Sequence, residues 1–476
     1  MPAGVHYAPS RVTLAAVPPP SGPLPSGPLP PGPLPPGPLP PGPPAPRHVW
    51  EELLYFRDLQ RDVLGTIAQR FATYGDVYYG RVRGMGVFSA MDPEFIHAVL
   101  VSEAKSFRRR TIDLEFLGNG VLTSTGEEWR RKRRRLQPSF RQESILGYGA
   151  LIREESDRLL ARHQPGAVLE LHSSMRELTL RVVCRALFGQ EFLGSAERLG
   201  HATRVLQEAV LRPKLLPPWV PTPATLRHRR MSALVDREVY RILERAESAP
   251  GSLLAALRAS LEGEAAPDRR ELVTQELRDE VVTLLLAGHE TTALSLTWAF
   301  YLIAQHPGLD GQLREEIERV TGGKPVGAEH FAGLELTQRV LSEASRLYPP
   351  VYVVPRVCTE DVRVGPYPVQ KGDELWLWIY FMHHDARWFA RPERFDPDRF
   401  LPGGEASRSP RAHLPFGAGL RSCIGRGFAT LEAALVLAAV LQRYRLELVD
   451  HRPVFPRPRI TLAPARPVRV RLRTRT

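Results

Sequence analysis

A cysteine near the carboxyl end of the chain lies in a glycine-rich loop of sequence Pro-Phe-Gly-Ala-Gly-Leu-Arg-Ser-Cys-Ile-Gly, residues 415–425. An apolar helical pattern begins just after Cys423, and a helix N-terminus lowers the pKa of a neighbouring thiol. Gly417 and Gly419 permit a tight turn with positive φ, which would aim backbone N–H groups at the sulfur. This arrangement predicts a thiolate that can bind a metal, whereas the simpler alternative is a small buried cysteine.

The remaining positions of this loop suit a haem. Gly425 leaves room for a flat ring, Arg421 can pair with a propionate, and Phe416 can shield the sulfur from water. The spacing Phe-Gly-x-Gly-x-Arg-x-Cys-x-Gly resembles the haem-binding signature of the cytochrome P450 family at every fixed position. The resemblance implies haem b (iron protoporphyrin IX) as cofactor, with Cys423 as the axial ligand to iron and Gly417 among the residues that contact it.

A second motif is the sequence Ala-Gly-His-Glu-Thr-Thr at residues 287–292, midway along a long helical pattern. The Thr291 hydroxyl can bond back to the Ala287 carbonyl and bend the helix, and Gly288 adds space for dioxygen. A buried acid beside an alcohol is unfavourable without a partner, and Glu290 with Thr291 could form a proton relay. The motif resembles the oxygen-activating acid–alcohol pair of P450 monooxygenases. The resemblance implies that Glu290 and Thr291 are catalytic and that Ala287 and Gly288 border the haem.

A third motif pairs an acid with arginines. Glu343 and Arg346 share one helix face at spacing i, i+3, a pattern that is common in any helix. The sequence Pro-Glu-Arg-Phe follows at residues 392–395, and the combination resembles the Glu–Arg–Arg triad of the P450 family. The resemblance implies that Arg394 is the third member of a structural network, which is stable only if every charge is paired.

Trp129 and Arg133 are one helical turn apart and face the same way. They resemble the Trp-x-x-x-Arg motif in which both side chains meet a haem propionate. Residues 130–135 are all basic, so a solvated charge run or a nucleic-acid patch is the alternative interpretation. Only part of such a run can face a haem, and we expect the rest to form a docking face for an acidic electron donor.

An apolar segment follows the Glu343 helix. By resemblance to the family it passes over the haem, and Tyr352, Val353 and Val354 would form an apolar wall of the substrate pocket. Arg356 resembles a further propionate partner.

Around these motifs, hydrophobic periodicity predicts helices with a few short hairpins. The pattern indicates one domain that is mainly α with small β-sheets, and the resemblance implies the cytochrome P450 fold. The predicted helices cover residues 49–75, most of 127–348 and 431–444, and the predicted strands cover 76–83, 87–91, 362–369, 374–379 and 468–472.

The first 48 residues differ in composition from the rest. From Pro18 to Pro46 the sequence cycles through Gly-Pro-Leu-Pro-Pro units, and proline fixes φ and removes a backbone donor, which excludes helix and sheet. We expect residues 1–48 to form a polyproline II arm or to be disordered, as a spacer or as a docking arm for an aromatic groove. The haem domain is predicted to span residues 49–476.

The chain is basic and contains three cysteines. Its 64 lysine and arginine residues exceed its 52 aspartate and glutamate residues, for a formal net charge of +12. Such a surface favours acidic proteins, nucleic acid or anionic membranes without choosing among them, and no nucleic-acid-binding module accompanies the charge. Cys184 and Cys358 lie in no ligand motif and are interpreted as structural, and the absence of a disulfide framework fits a reducing cytoplasm.

No signal for a membrane is present in the sequence. No uninterrupted apolar run approaches the ~18 residues that a membrane-spanning helix needs, and the N-terminus lacks a charged flank followed by an apolar stretch. We therefore expect a cytoplasmic protein without a membrane span.

The resemblance implies a haem-thiolate monooxygenase that inserts one atom of O2 into a hydrophobic substrate such as a fatty acid, a terpenoid or a carotenoid. Electrons would come from a separate acidic ferredoxin or flavodoxin with its reductase, and the protein is expected to be a monomer without a nucleic-acid partner. The alternatives are a P450-like peroxygenase or isomerase that needs no reductase, which typically lacks the acid–alcohol pair, and a non-catalytic haem sensor.

Overall fold

Helices dominate the residues that the computed structural model describes, which are 37–46, 48–82, 84–110, 115–189, 193–210, 222–245, 252–264, 270–404 and 409–474. The prediction of a mainly α fold with small sheets is confirmed. The helices are α1 (Val49–Arg61), α2 (Val63–Tyr74), α3 (Pro93–His97), α4 (Gly126–Leu136), α5 (Gln142–Gly147), α6 (Gly149–Ala161), α7 (Leu171–Phe188), α8 (Leu193–Val210), α9 (Pro223–Arg245), α10 (Leu253–Glu264), α11 (Arg270–Gln305), α12 (Pro307–Thr321), α13 (Glu335–Leu347), α14 (Ile379–His383) and α15 (Arg426–Arg443).

The strands are short. They are β1 (Val77–Val82), β2 (Met85–Ala90), β3 (Phe107–Arg109), β4 (Val168–Glu170), β5 (Val354–Cys358), β6 (Val362–Val364), β7 (Tyr367–Val369), β8 (Glu374–Leu377), β9 (Tyr444–Leu448), β10 (Pro456–Pro458), β11 (Leu462–Pro464) and β12 (Arg469–Thr474). The described residues divide into two compact units: the first takes in those of 1–110, 352–394 and 402–422, and the second those of 111–351, 395–401 and 423–476.

The first unit is built on a five-stranded sheet with strand order β1-β2-β8-β5-β3. Strands β2 and β8 are parallel, and the other neighbours are antiparallel. Phe88 and Ala90 on β2 lie opposite Leu375 and Leu377 on β8, and all four side chains are fully buried. Because alternate residues of a strand point to the same face, this register gives the sheet one apolar face.

The end of the proline-rich segment packs on an edge of this sheet. Residues 37–46 contain neither helix nor strand, as the proline content predicts. The Tyr79 N–H on edge strand β1 donates to the Pro41 carbonyl at 3.1 Å. A Cβ on Gly42 would lie 1.7 Å from the Tyr79 carbonyl oxygen, so this close approach requires glycine. Residues 1–36 of the predicted arm lie outside the described residues.

The second unit is a helical core with a three-stranded sheet of order β4-β12-β9 and the hairpin β10-β11. Every residue of α15 from Leu431 to Leu441 is buried, which makes it a central helix. On α11, the Trp298 indole N–H donates to the Leu462 carbonyl at 3.1 Å, and its ring stacks on Tyr348 at 3.9 Å. These contacts fix α11 within the unit.

Helix α7 packs closely along α11. It begins where the Glu170 carboxylate accepts the N–H groups of His172 and Ser173, and it ends at Gly189, whose φ of +70° only glycine adopts readily. A Cβ on Gly288 of α11 would lie 3.1 Å from Val183 of α7. A glycine at this position therefore lets the two helices approach.

The predicted elements differ from the observed ones mainly at their boundaries. The helix predicted over 49–75 is two helices, because the Asp62 carboxylate accepts the Gly65 N–H at 2.9 Å and starts α2. The strand predicted over 362–369 is the hairpin β6-β7, which turns at Gly365 with a φ of +57°. Within the described residues, no helix has the length and apolar character needed to cross a bilayer.

Helix α15 carries an acid in its most buried part. Glu432 is 0% exposed, and neither carboxylate oxygen has a hydrogen-bond partner among the described residues. Burial raises the pKa of Glu432 well above its usual value, so the carboxyl is neutral in the folded protein.

A Glu432→Gln variant is expected to match the wild type in acid and to exceed it in stability as the pH rises. A raised carboxyl pKa contributes stability below the unfolded value, and this contribution is lost towards the folded value. Denaturant unfolding across a pH series measures the difference. Parallel stability curves for the two proteins would show that Glu432 is not buried as a neutral acid.

Candidate active site

Cys423 lies directly before α15 in the second unit. The Gly425 N–H donates to its sulfur, and Arg133 and Arg426 place positive charge nearby. Burial nevertheless raises the pKa of the Cys423 thiol, although the side chain remains accessible to water. This direction is opposite to the one expected from the helix end, because one N–H group and two cations do not outweigh desolvation. Metal binding would complete the deprotonation, since a coordinating thiol must be ionised.

The glycine turn before Cys423 is confirmed. Gly417 and Gly419 both have a φ of +67°. A Cβ on Gly419 would lie 2.0 Å from the Leu100 carbonyl oxygen, so the loop approaches its neighbour as only glycine permits. Phe416 and Arg421, which flank the turn in the first unit, are half-buried.

Gly425 stands beside the sulfur. A Cβ at this position would be 3.9 Å from the Cys423 sulfur and 3.8 Å from the Phe140 ring, in ordinary contact with both. Glycine therefore places no side chain next to the sulfur, which leaves room there for a planar ligand.

Trp129 and Arg133 share a face of α4 as predicted. The Arg133 guanidinium lies 5.7 Å from the centre of the Trp129 ring, and Trp129 is buried. Burial lowers the pKa of Arg133, and a Cys423 thiolate would raise it. The motif thus brings a partly desolvated cation to the side of α15 where the sulfur lies.

Only part of the basic run on α4 is free to face solvent. Lys132 is buried, with its ammonium 3.0 Å from Glu128, and Arg135 pairs with Glu276 at 2.6 Å. The side chains of Arg131 and Arg134 are exposed. Much of the run therefore serves the protein's own structure.

The acid–alcohol motif lies in the middle of α11. The Thr291 hydroxyl donates to the Ala287 carbonyl at 2.8 Å, as predicted. Glu290 lies 3.2 Å from Nε2 of His172 on α7. Burial alone would raise the pKa of Glu290, but the hydrogen bond and charge of His172 hold it at about 2. Sequence reasoning missed His172, because nothing in the chain marks which helix faces Glu290.

Gly288 lies where α11 faces α7. Its missing side chain would point at Val183 of α7. The glycine therefore accommodates a neighbouring helix, and the space for dioxygen beside it stays a prediction.

The charged network around Glu343 is observed with a different third member. Glu343 and Arg346 are both 0% exposed and pair through two hydrogen bonds of 2.7 and 2.8 Å. The Asp396 N–H also donates to Glu343 at 3.0 Å, and Nε of Arg399 lies 3.4 Å from the same carboxylate.

Arg399 corrects the assignment of Arg394. The Arg394 side chain is exposed, whereas Arg399 is buried. The chain contains two similar tetrapeptides, Pro-Glu-Arg-Phe at 392–395 and Pro-Asp-Arg-Phe at 397–400. The predicted residue, Arg394, belongs to the first tetrapeptide. The arginine that lies close to Glu343 is Arg399, which belongs to the second.

Two arginines lie opposite each other on neighbouring strands of the first unit. Arg109 on β3 pairs in register with Arg356 on β5. The pKa of each arginine is lowered to about 10, for Arg109 by burial and for Arg356 by burial together with the charge of Arg109. Like charges directly opposite on a sheet are destabilising, so the pair suits a ligand with carboxylates. The sequence did not identify Arg109, because it is one of three consecutive arginines. Only the strand register shows that Arg109 is the one opposite Arg356.

The predicted substrate-pocket residues also belong to the first unit. Tyr352 is buried, with its ring 6.3 Å from that of Trp378, and burial raises its pKa. Val353 and Val354 are half-buried, and Val354 begins β5. The segment is apolar, and its place in a substrate pocket stays a prediction.

Comparison with known proteins places this chain in a family. It matches the cytochrome P450 family model over residues 40–470. It is 32% identical over 388 residues to cyclooctat-9-en-7-ol 5-monooxygenase of Streptomyces melanosporofaciens, covering 79% of this chain and 83% of the relative. It is 31% identical over 417 residues to pentalenene oxygenase of Streptomyces avermitilis, covering 85% and 92%.

A solved structure supports the fold. The crystal structure of a cytochrome P450DA mutant heme domain matches with a TM-score of 0.79 at 24% identity, over 92% of this chain and 98% of that chain. The chain therefore belongs to the cytochrome P450 family and is a haem-dependent oxidoreductase that incorporates oxygen from O2.

Proposed function

We propose that this P450 hydroxylates a terpenoid, with haem b as its cofactor and Cys423 as the residue that would hold the iron. The observation that carries the proposal is the Thr291–Ala287 hydrogen bond beside Glu290, in a chain whose Cys423 loop matches the haem signature. Among the substrate classes expected from the sequence, terpenoids are favoured. Two relatives that are similar to this chain over most of its length act, by their names, on pentalenene and on cyclooctat-9-en-7-ol.

Each residue has a defined part in this proposal. When bound, the haem supplies the iron at which dioxygen is activated, and a thiolate ligand favours cleavage of the O–O bond. Gly425, Arg133 and Arg426 stabilise the thiolate form of Cys423 through a hydrogen bond and positive charge. Thr291 holds its hydroxyl at the Ala287 carbonyl, and Glu290 carries protons towards it.

Arginines would bind the carboxylates of the cofactor. Arg133 with Trp129 in the second unit, and Arg109 with Arg356 and Arg421 in the first, are cations in partly desolvated surroundings. Charge-assisted hydrogen bonds from arginine to carboxylate are short and strong in such places.

An Arg109→Gln variant is expected to lose haem faster than the wild type, by roughly tenfold, as for other residues that support a metal site. Transfer of haem to excess apomyoglobin, followed by absorbance, measures the rate without relying on activity. Arg108→Gln is the matched control, because Arg108 is the adjacent exposed residue of β3 and faces the other way. Equal rates of haem loss from the two variants would show that Arg109 does not bind the cofactor.

A Thr291→Ala variant is expected to uncouple oxygen consumption from product formation. The variant keeps the haem and the substrate pocket but loses the hydroxyl that the relay needs, so reducing equivalents would go to peroxide. Product and peroxide formed per O2 consumed are the quantities to measure. Thr292→Ala is the control on the same turn, since its hydroxyl donates to a different carbonyl, that of Gly288. Unchanged coupling in Thr291→Ala would exclude the acid–alcohol mechanism.

The redox partner is proposed to be an acidic ferredoxin or flavodoxin, docked through exposed cations that include Arg131 and Arg134. The protein is proposed to work in the cytoplasm as a monomer. The three cysteines are all free, which fits a reducing compartment.

Optical titration of the ferric protein tests the substrate class. Pentalenene and other terpenoids are expected to give a saturable low-spin to high-spin shift, whereas fatty acids of similar size give a weaker one or none. A shift with fatty acids alone would contradict the terpenoid proposal while keeping the enzyme class. A protein that binds no haem would contradict both.

A further inference from the structure

The carboxylate of Glu290 has a titratable partner on the neighbouring helix. Nε2 of His172, in the first turn of α7, lies 3.2 Å from Oε1 of Glu290 on α11. The His172 side chain is 25% exposed and that of Glu290 is 17% exposed. The pair therefore connects the partly exposed His172 with Glu290, which directly precedes Thr291 in the chain.

We propose that His172 is a positioning residue that supplies protons from solvent to the active site through Glu290. This inference rests on the proposed function, because Glu290 must pass its proton on towards Thr291. One proton moves from Nε2 of the imidazolium to Oε1 of Glu290, no bond between heavy atoms changes, and the neutral ring takes its replacement from bulk water.

Other cationic or titratable groups near Glu290 do not fit this task. Arg176, one turn along α7 from His172, adds positive charge, but a guanidinium keeps its protons in proteins. His289 on α11 is 4% exposed, its Nδ1 bonds to the Leu285 carbonyl at 2.5 Å, and burial lowers its pKa. His172 is thus the group near Glu290 that combines exposure with an exchangeable proton.

The first turn of α7 holds the imidazole in place. The Glu170 carboxylate accepts the backbone N–H of His172 at 3.2 Å, which fixes the start of the helix and leaves the ring free to face α11. Among the described residues, Nδ1 of His172 has no protein hydrogen-bond partner, and the side chain as a whole is 25% exposed. A partly exposed imidazole with one nitrogen on an acid has the geometry of a proton shuttle.

The low pKa of Glu290 suits a carrier. A carboxyl with a pKa of about 2 is occupied by a proton only briefly, and it releases that proton readily to an acceptor on its other side. The ion pair with His172 and the charge of Arg176 return it to the carboxylate form after each transfer.

Two substitutions separate proton supply from structure. His172→Gln keeps a hydrogen-bond donor for Glu290 but does not titrate, and His172→Arg keeps a cation that holds its protons. His451→Gln, an exposed histidine on the loop after β9, is the matched control. Each haem-loaded protein is assayed with a surrogate ferredoxin and reductase, using the terpenoid that gives the largest spin shift in the titration above.

Both His172 variants are expected to lower kcat roughly tenfold, with KM unchanged. The solvent isotope effect on kcat should rise, because proton delivery becomes slower.

The outcomes separate this inference from the function on which it depends. If His172→Arg keeps the wild-type kcat and isotope effect, then His172 supplies only positive charge and the inference fails. If both variants match His451→Gln while Thr291→Ala still uncouples the reaction, protons enter elsewhere and the proposed function stands. If Thr291→Ala also stays coupled, the proposed relay itself is refuted.

Discussion

Replacement of Cys423 by alanine is expected to abolish the thiolate spectrum of the ferrous CO complex and to reduce oxygenation more than roughly 100-fold. Substitutions of residues that merely support a metal ligand already reduce affinity or activity by 10–100-fold, and this change removes the ligand itself. The neighbouring Gly425 N–H, Arg133 and Arg426 would remain, but they stabilise a sulfur anion that the variant lacks.

The other two cysteines provide matched controls. Cys184 and Cys358 are buried, and burial raises the pKa of each thiol to about 12. Neither is expected to bind iron, so Cys184→Ala and Cys358→Ala should keep the thiolate spectrum at a stability loss of about 1 kcal/mol each. Absorbance of the reduced CO-bound proteins, together with the haem-to-protein ratio, compares the three variants. A thiolate spectrum in Cys423→Ala would show that another cysteine is the ligand to iron.

The sequence predicted residues whose roles depend on local spacing. The Gly417 and Gly419 turn and the Thr291–Ala287 hydrogen bond are set within a few residues of chain, and both were observed as expected. Trp129 and Arg133 meet because they are one helical turn apart. In each case the backbone geometry of a single element determines the contact.

Contacts between distant segments could not be derived in the same way. His172 reaches Glu290 only because α7 lies along α11, and Arg109 is matched to Arg356 only by strand register. The contact of Gly288 with Val183 could not be derived for the same reason, because it depends on the position of the next helix. The thiol pKa of Cys423 depends on how much protein surrounds the sulfur, which a helix pattern does not reveal.

The Glu343 network leads to the second large expected effect. Glu343→Gln and Arg346→Gln are each expected to lower the free energy of unfolding by about 3–5 kcal/mol, because each removes one partner of a fully buried ion pair. Glu343→Gln also weakens the hydrogen bond from the Asp396 N–H, which the carboxylate accepts. These losses would be large fractions of the stability of an ordinary protein.

Two arginine variants decide which residue completes the network. Arg399→Gln is expected to lower the free energy of unfolding by about 1.5–3 kcal/mol, as for loss of an interaction with a buried charge. Arg394→Gln should lower it by less than about 1 kcal/mol, because the side chain is exposed and surface charges are screened by water. Denaturant midpoints of the haem-loaded variants provide the comparison. A larger loss of stability in Arg394→Gln than in Arg399→Gln would show that Arg394 is the third member of the triad. A larger loss in Arg399→Gln would show that the second tetrapeptide, which contains the buried arginine, has the structural role.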